Sequence, residues 1–110
     1  FNGLIVATPV YNFDVNAALK NLIELTGHGW LDKVVGFIGT AGSRRSFMSL
    51  QSFASSLMLD FRCLIVPRFV FATTDDFVDG RLQNDQIGER IGRLVNTVSR
   101  LSANWTDVTL

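Results

Sequence analysis

Residues 4–12 read Leu-Ile-Val-Ala-Thr-Pro-Val-Tyr-Asn. The apolar run over residues 4–8 is typical of a buried strand in a parallel sheet, because such strands are covered on both faces and show no polar alternation. Pro9 ends the run, and an amphipathic aromatic ring and an amide follow it. The stretch therefore predicts a strand that leads into a polar-edged loop at one edge of a sheet.

Two further runs rich in Val and Ile occupy residues 34–39 and 63–66, and stretches with helical spacing separate the three runs. Strands and helices that alternate and are joined by right-handed crossovers predict an α/β fold, with a three-stranded parallel sheet in the order of the sequence. Successive crossovers of one hand place both helices on the same face, so only the last helix covers the other face. We therefore expect exposed apolar surface there and an open edge at the first strand.

Three helices are predicted between and after these strands. Asn16 is a suitable N-cap for a helix that Gly27 stops, and the apolar spacing of residues 47–59 is typical of a second helix. A last helix is predicted from residue 84 or 85 to about residue 102.

The segment over residues 68–80 is predicted as a polar loop with turns, because Thr, Asp and Gly accumulate there. The group Asp75, Asp76 and Asp79 raises the question of a calcium site. The ordered alternation of an EF-hand loop is missing, which favours a solvated turn.

Gly88 and Gly92 lie four residues apart in the last predicted helix. A glycine pair costs helix stability. Either the close approach of another element or simple tolerance explains the pair.

The composition excludes several classes of protein. Of the 110 residues, 47% are hydrophobic and 18% charged, and ten Lys plus Arg balance ten Asp plus Glu, so the basic footprint of a general nucleic-acid binder is missing. No segment reaches the roughly 18 apolar residues of a membrane-spanning helix. We expect no nucleic-acid partner and no membrane span, and one domain over residues 1–102 with a tail over residues 103–110.

Cys63 is the only cysteine, which excludes an internal disulfide. Its apolar surroundings favour an inert buried thiol over a nucleophile, and this cysteine usage fits a reducing, cytoplasmic compartment. His28 has no second His or nearby Cys at ligand spacing, so no metal site is expected. The apolar excess of the chain predicts association with another subunit.

Two loops are candidates for ligand binding, because open parallel sheets bind ligands beyond the carboxyl ends of their strands. The first has the rigidity and polar edge needed to hold a flat ring, and the second has small residues that leave backbone N–H groups accessible. Taken alone, each is more often a chain terminator or a tight connection, but their joint placement favours one shared site. The candidate residues are Pro9, Val10, Tyr11, Asn12, Thr40, Ala41, Gly42 and Ser43.

These loops carry a resemblance to a known family. Residues 4–12, followed by Leu-Lys-Asn at residues 19–21, resemble the NADPH-dependent FMN reductase family of flavodoxin-like proteins. The stretches Gly-Thr-Ala-Gly at residues 39–42 and Asp-Gly-Arg-Leu at residues 79–82 are similar to the same family in order and spacing. The resemblance covers residues 3–101. It implies a flavodoxin-like doubly wound parallel sheet that binds FMN at its carboxyl edge, with the isoalloxazine ring held by the two candidate loops.

The activity that this resemblance implies is hydride transfer from NAD(P)H through bound FMN to a small-molecule acceptor such as a quinone, a dye, a metal oxyanion or free flavin. Because hydride chemistry belongs to the flavin, the chain need not supply an acid or a base, and no catalytic residue is named. The resemblance also implies a homo-oligomer built partly from the helices that follow the first two strands.

The sequence departs from the family in several places. The family's first strand and its glycine- and serine-containing phosphate loop have no counterpart, so we expect the C-terminal portion of an incomplete fold that enters at the third strand. Phe13 and Asp14 stand where small residues are expected. Arg44 and Arg45 are most typical of a solvated pair; contact with a nicotinamide nucleotide or a neighbouring subunit is the next interpretation, ahead of a substitute phosphate site.

A second interpretation is a truncated flavodoxin-like module without flavin that acts in protein–protein association. An unrelated doubly wound domain that binds phosphate or nucleotide is weaker, because no Gly-x-Gly-x-x-Gly or Gly-Lys-Ser/Thr loop occurs. Flavin bound to the purified chain separates the reductase from both alternatives.

Overall fold

The computed structural model describes residues 2–11, 14–15, 17–42 and 49–105. Its strands are β1 (Gly3–Tyr11), β2 (Asp14–Val15), β3 (Val34–Ala41), β4 (Leu64–Ile65), β5 (Val70–Thr73), β6 (Phe77–Val78) and β7 (Arg81–Leu82). Its α-helices are α1 (Ala17–Thr26), α2 (Gln51–Phe61) and α3 (Asp85–Trp105), and short 3-10 helices span Gly27–Trp30 and Thr74–Asp76. The predicted cap at Asn16 and the predicted helix start at Phe47 lie outside the described residues.

Strand β3 lies at the centre of the sheet. β1 runs parallel to it on one side, from Gly3 opposite Val34 to Pro9 opposite Thr40. β4 and then β5 run parallel to it on the other side, so two short strands fill one position. Pro67 lies between them, and a proline has no N–H to continue a ladder. The parallel order predicted from the sequence is confirmed.

The segment over residues 68–80 is more regular than predicted. The expected polar loop contains β5, a 3-10 helix and β6, and it ends in the turn that joins β6 to β7 in a hairpin. β5 forms because it pairs with β3 and buries its apolar side chains, with Val70 at 1% and Ala72 at 3% exposure. Asp79 and Gly80 form the hairpin turn with φ values of 51° and 77°, the combination that a tight two-residue hairpin turn requires.

Helices cover both faces of the sheet. On one face, α1 and α2 pack with the Gly27–Trp30 turn around a core of Val6, Ile23, Trp30, Val35, Phe37, Leu50, Phe53, Ala54, Leu57 and Cys63. On the other face, α3 packs over a second core of Val34, Val66, Val70, Ala72, Ile87, Leu94 and Val98. Within the described part of the chain, α3 is the only helix on this face, as predicted.

Two helices end later than predicted. α2 ends at Phe61, where Arg62 takes a left-handed conformation with φ of 53°. α3 continues to Trp105, whose indole N–H donates to the carbonyl oxygen of Asp32 and anchors the last turn. The division into residues 1–102 and 103–110 stays a prediction. No helix in the described part of the chain combines the length and apolar content needed to cross a bilayer.

Part of β1 is left uncovered. Ile5 is 37% exposed, and Ala7 is also exposed. Among the described residues, only Val10 and Tyr11 pair along the outer edge of β1, with the antiparallel strand β2 that the sequence did not predict. The structure thus shows the exposed apolar surface and the open edge expected when one helix covers three strands.

The close approach of α3 to the sheet falls on a glycine of the central strand. A Cβ at Gly36 would lie 2.8 Å from Leu94 Cδ1 and 2.9 Å from Val98 Cγ2. A Cβ at Gly88 or Gly92 would meet nothing within 4 Å. Close approach is therefore the wrong explanation for the helix glycines within the described structure, and tolerance is the explanation that remains.

The Cys63 thiol is 3% exposed, and its S–H donates to the carbonyl oxygen of Trp30 at 3.1 Å. Burial raises the pKa of this thiol above its ordinary value, and the nearby Asp32 carboxylate adds to the rise. The reactive thiolate is therefore disfavoured, which supports the interpretation of an inert thiol over a nucleophile.

Gly36→Ala is expected to lower the free energy of unfolding by about 1–3 kcal/mol, because the added methyl group meets Leu94 and the stiff branched side chain of Val98. Gly88→Ala is the matched control, since the same change in open helical space stabilises by up to about 1 kcal/mol. Urea unfolding followed by circular dichroism measures both. A Gly36→Ala chain as stable as the unchanged protein would contradict the tight packing of α3 on β3.

Candidate functional site

The parallel strands β1, β3 and β5 end at one edge of the sheet, at Tyr11, Ala41 and Thr73. An open cavity of about 510 Å³ lies at this edge, and we name it the carboxyl-edge cavity. It is lined by Pro9, Val10, Thr40, Ala41, Gly42, Thr73, Thr74, Phe77 and Gly80. Small-molecule sites commonly measure roughly 300–1,000 Å³, and the carboxyl edge is their usual place in open parallel sheets.

The two candidate loops meet at this cavity. Pro9 and Val10 line it from the end of β1, and Thr40, Ala41 and Gly42 line it from the end of β3. The pairing of Pro9 with Thr40 in the ladder accounts for their proximity.

Three candidate residues remain, Tyr11, Asn12 and Ser43. Tyr11 is the last residue of β1, and its backbone pairs with Asp14 in β2. Asn12 and Ser43 lie outside the described residues. Their roles, like those of the other candidate residues, stay predictions.

The walls of the carboxyl-edge cavity are neutral, since no charged side chain belongs to its described lining. Apolar surface comes from Pro9, Val10 and Phe77, and hydroxyl groups come from Thr40 and Thr74. Such walls suit a planar ring with polar edges. They suit a phosphate poorly, because cationic side chains or helix N-termini usually hold that group.

The two candidate loops differ at the cavity: the loop after β3 leaves free space, and the end of β1 is held by a hydrogen bond. A Cβ at Gly42 would meet no atom of the described residues within 4 Å, so this exposed residue leaves space at the site. Thr8 is 3% exposed, and its hydroxyl donates to the carbonyl oxygen of Pro9 at 3.0 Å. This hydrogen bond helps to hold the end of β1 in place.

Sequence reasoning misses the third lining segment, which follows β5. The expectation of a solvated turn is wrong for Asp76, which is only 4% exposed. Its Oδ2 accepts hydrogen bonds from the Thr73 N–H at 2.8 Å and from the Thr73 hydroxyl at 3.3 Å. This arrangement is a capping box, and the Thr-x-x-Asp spacing is a signal that the sequence contains.

Asp76 also joins this segment to the start of α3. Its Oδ1 accepts a hydrogen bond of 2.7 Å from Asn84 Nδ2, and its main-chain carbonyl accepts one of 2.8 Å from the Gln83 N–H. Asn84 Oδ1 accepts from the Gln86 N–H at 3.0 Å, as an N-cap does. One buried carboxylate therefore holds together the two ends of the segment that carries the hairpin.

Two larger cavities lie elsewhere. One of about 770 Å³ lies between α1 and α2 and includes His28 in its lining. The other, of about 720 Å³, lies between α2 and the third strand position and includes Phe69 and Phe71. We place the candidate site at the smaller cavity, because it lies where the ends of the parallel strands converge.

A comparison with known families assigns this fold. The family model for NADPH-dependent FMN reductases matches residues 1–77 of the 110. The chain belongs to this family. The family resemblance and the flavodoxin-like fold class predicted from the sequence are therefore confirmed.

The curated relatives of this chain carry the names of flavin reductases. The NAD(P)H-dependent FAD/FMN reductase of Geobacillus thermodenitrificans is 28% identical over 92 residues, which cover 82% of this chain and 50% of that protein. The NADH-dependent FMN reductase SfnF of Pseudomonas fluorescens is 33% identical over 89 residues, which cover 80% of this chain and 48% of that protein. The chain thus spans about half the length of the curated relatives it matches.

Solved structures show the same fold. An oxidoreductase from Corynebacterium diphtheriae superposes with a TM-score of 0.76 at 28% identity, over 94% of this chain and 56% of that one. A Fusobacterium nucleatum flavodoxin bound to flavin mononucleotide superposes with a TM-score of 0.58 at 19% identity, over 91% of this chain and 71% of that one. At this identity the flavodoxin likeness shows the fold alone.

Asp76→Asn is expected to lower the free energy of unfolding by about 1–3 kcal/mol, because an amide cannot accept hydrogen bonds through both of its terminal atoms as the carboxylate does. Asp75→Asn is the control, since Asp75 is the exposed neighbour. Urea unfolding is the measurement. Equal stability of the two variants would contradict the role of Asp76 in holding the hairpin segment.

Proposed function

We propose that this chain forms the ring-binding part of an FMN-dependent NAD(P)H oxidoreductase of the flavin, quinone or azo reductase type. The observation that carries the proposal is the carboxyl-edge cavity, where Pro9 and Val10 meet residues 40–42 in a member of the FMN reductase family. The neutral walls and the size of this cavity support a planar ring as its ligand.

The chain's own residues bind and orient the ring in this proposal. Pro9 and Val10 provide rigid apolar contact, and Thr40 offers a hydroxyl to a polar ring edge. Ala41 and Gly42 keep side chains out of the space that the ring needs. For Tyr11, Asn12 and Ser43 the support is the sequence alone.

The chemistry that FMN supplies when bound is hydride transfer between NAD(P)H and a small-molecule acceptor. No titratable side chain belongs to the described lining, so no residue there is assigned the transfer of a proton. The cavity opens to solvent, which leaves room for a co-substrate to approach a bound ring.

The phosphate of FMN requires groups outside this lining. The described lining contains neither Lys nor Arg, and Arg44 and Arg45 lie outside the described residues. The proposal therefore assigns to this cavity the ring and not the phosphate.

We further propose a homo-oligomer that buries the outer surface of α1 and α2. Large apolar side chains on these helices are exposed, with Leu22 at 49%, Leu25 at 76%, Met58 at 48% and Leu59 at 76%. Such a surface is what subunit interfaces cover.

The second candidate function is a flavodoxin-like module without flavin that acts in protein–protein association. The observation that favours it is the outer edge of β1 over residues 3–9, which pairs with no strand among the described residues and lies beside the exposed Ile5. An unpaired strand edge offers a ladder to another chain. The two functions differ in a direct test, because only the reductase needs to bind FMN.

The purified chain is expected to bind FMN, with a shifted visible absorbance band and altered flavin fluorescence. Gly42→Leu is expected to raise the Kd at least about tenfold, because its side chain fills the space that the glycine leaves at the cavity. Gly88→Leu is the matched control, since it also adds a side chain to open space but lies on α3.

Absence of FMN binding by the unchanged chain would overturn the reductase proposal and favour the association module. Binding that is equally tight in both leucine variants would place the flavin away from the carboxyl-edge cavity.

Sedimentation equilibrium is expected to show a species larger than the 12.2 kDa monomer. The double change Leu25→Lys and Leu59→Lys is expected to shift it to the monomer, because charges on both helices oppose burial of their surfaces. Val95→Lys, at a position 47% exposed on α3, is the control. A monomer at all concentrations would refute the proposed interface.

A further inference from the structure

The Phe77 side chain lies at the carboxyl-edge cavity and outside both hydrophobic cores. It lines the cavity and is 38% exposed, and neither core includes it as a buried or a packed member. Burial in the core therefore does not explain why a phenyl ring occupies this position.

The backbone on both sides of Phe77 is held by hydrogen bonds. Its N–H donates to the carbonyl of Thr74 at the end of the 3-10 helix, and the preceding residue is the buried Asp76. Phe77 lies opposite Leu82 in the hairpin, and Leu82 packs against the core beneath α3. A side chain on such a backbone can provide a wall in a defined place, which limits the entropy lost on binding.

We propose that Phe77 is a flavin-contacting residue whose ring supplies the aromatic wall of the carboxyl-edge cavity. The inference rests on the proposed function and deepens it. Because the described walls carry no charge, affinity for a ring has to come from contact area, hydrogen bonds and aromatic contact. Contact between a phenyl ring and another planar π-system is stabilised by offset or edge-to-face arrangements as well as by burial of apolar area.

Val78 provides the internal comparison. Successive side chains of a strand point to opposite sides, so Val78 points away from the side that Phe77 occupies. It is 55% exposed and is not part of the cavity lining. A change that only loosens the hairpin affects both positions, whereas loss of a ring contact affects Phe77 alone.

The test is FMN binding by the purified 110-residue chain and its variants Phe77→Ala and Val78→Ala. Phe77→Ala is expected to raise the Kd for FMN about fivefold or more, as loss of one aromatic stacking contact typically does. Val78→Ala is expected to change it less than about twofold. Urea midpoints within the error of the unchanged chain show that the hairpin and the fold remain.

A second variant keeps the proposal testable if Phe77→Ala unfolds the hairpin. Phe77→Trp retains an aromatic wall and is expected to keep the Kd within about threefold of the unchanged chain. It is also expected to shorten the fluorescence lifetime of bound FMN, because an indole in contact with an excited flavin quenches it. Val78→Trp is the control and leaves the lifetime of bound FMN unchanged.

The outcomes separate the two proposals. If the unchanged chain binds FMN and the Phe77 variants behave like the Val78 variants, the role of Phe77 is overturned while the reductase proposal stands. If the unchanged chain binds no FMN, both proposals fail. A weaker affinity in Phe77→Ala alone, with a shortened lifetime in Phe77→Trp alone, supports the aromatic wall.

Discussion

The parallel ladder between β1 and β3 is the constraint on which the site depends. Val34, Val35 and Phe37 on the central strand are all fully buried, so both faces of β3 are committed to packing. A slip of one residue in β1 would turn its core side chains, such as Val6, to the opposite face, and burial therefore sets the register. That register sets Pro9 opposite Thr40 and brings the two loops to one cavity.

The start of α3 links the site to the core. The helix packs on Gly36 through Leu94, and its N-cap Asn84 holds the carboxylate of Asp76. The hairpin that carries Phe77 is therefore positioned by the same helix that covers one face of the sheet. A packing change beneath α3 can reach the cavity through this chain of contacts, because a buried carboxylate that loses a partner is costly.

Sequence patterns predict the parts of the fold that local spacing determines. The Val- and Ile-rich runs locate β1 and β3, and the helical apolar spacing locates α3. β5 escapes prediction because Pro67 and the polar residues after it indicate a loop, whereas its strand structure depends on pairing with the distant β3. The role of Gly36 escapes prediction for the same reason. Nothing in the sequence distinguishes a glycine at a close contact from other glycines before the position of the helix above it is known.

The candidate site also has a part that the sequence predicts and a part that it does not. The two loops after β1 and β3 can be predicted, because a rigid proline and a run of small residues each follow a recognisable strand. In the sequence Asp76 looks like a solvated aspartate, because the partners that hold its carboxylate, Thr73 and Asn84, come from two different elements. The Thr73 and Asp76 spacing predicts only the cap and says nothing about the cavity that the cap supports.

The neutral lining separates two tasks that flavin binding usually combines. The affinity for a ring held by Pro9, Val10 and Phe77 comes from buried apolar area and aromatic contact, and it depends little on salt concentration. The affinity for a phosphate held by cations or helix N-termini comes from charge. No cationic side chain belongs to the described lining. In the proposed reductase, the described residues that contact the ring are therefore not the ones that bind the phosphate. They select the ring by the shape of the carboxyl-edge cavity, the Thr40 hydroxyl and the aromatic contact with Phe77.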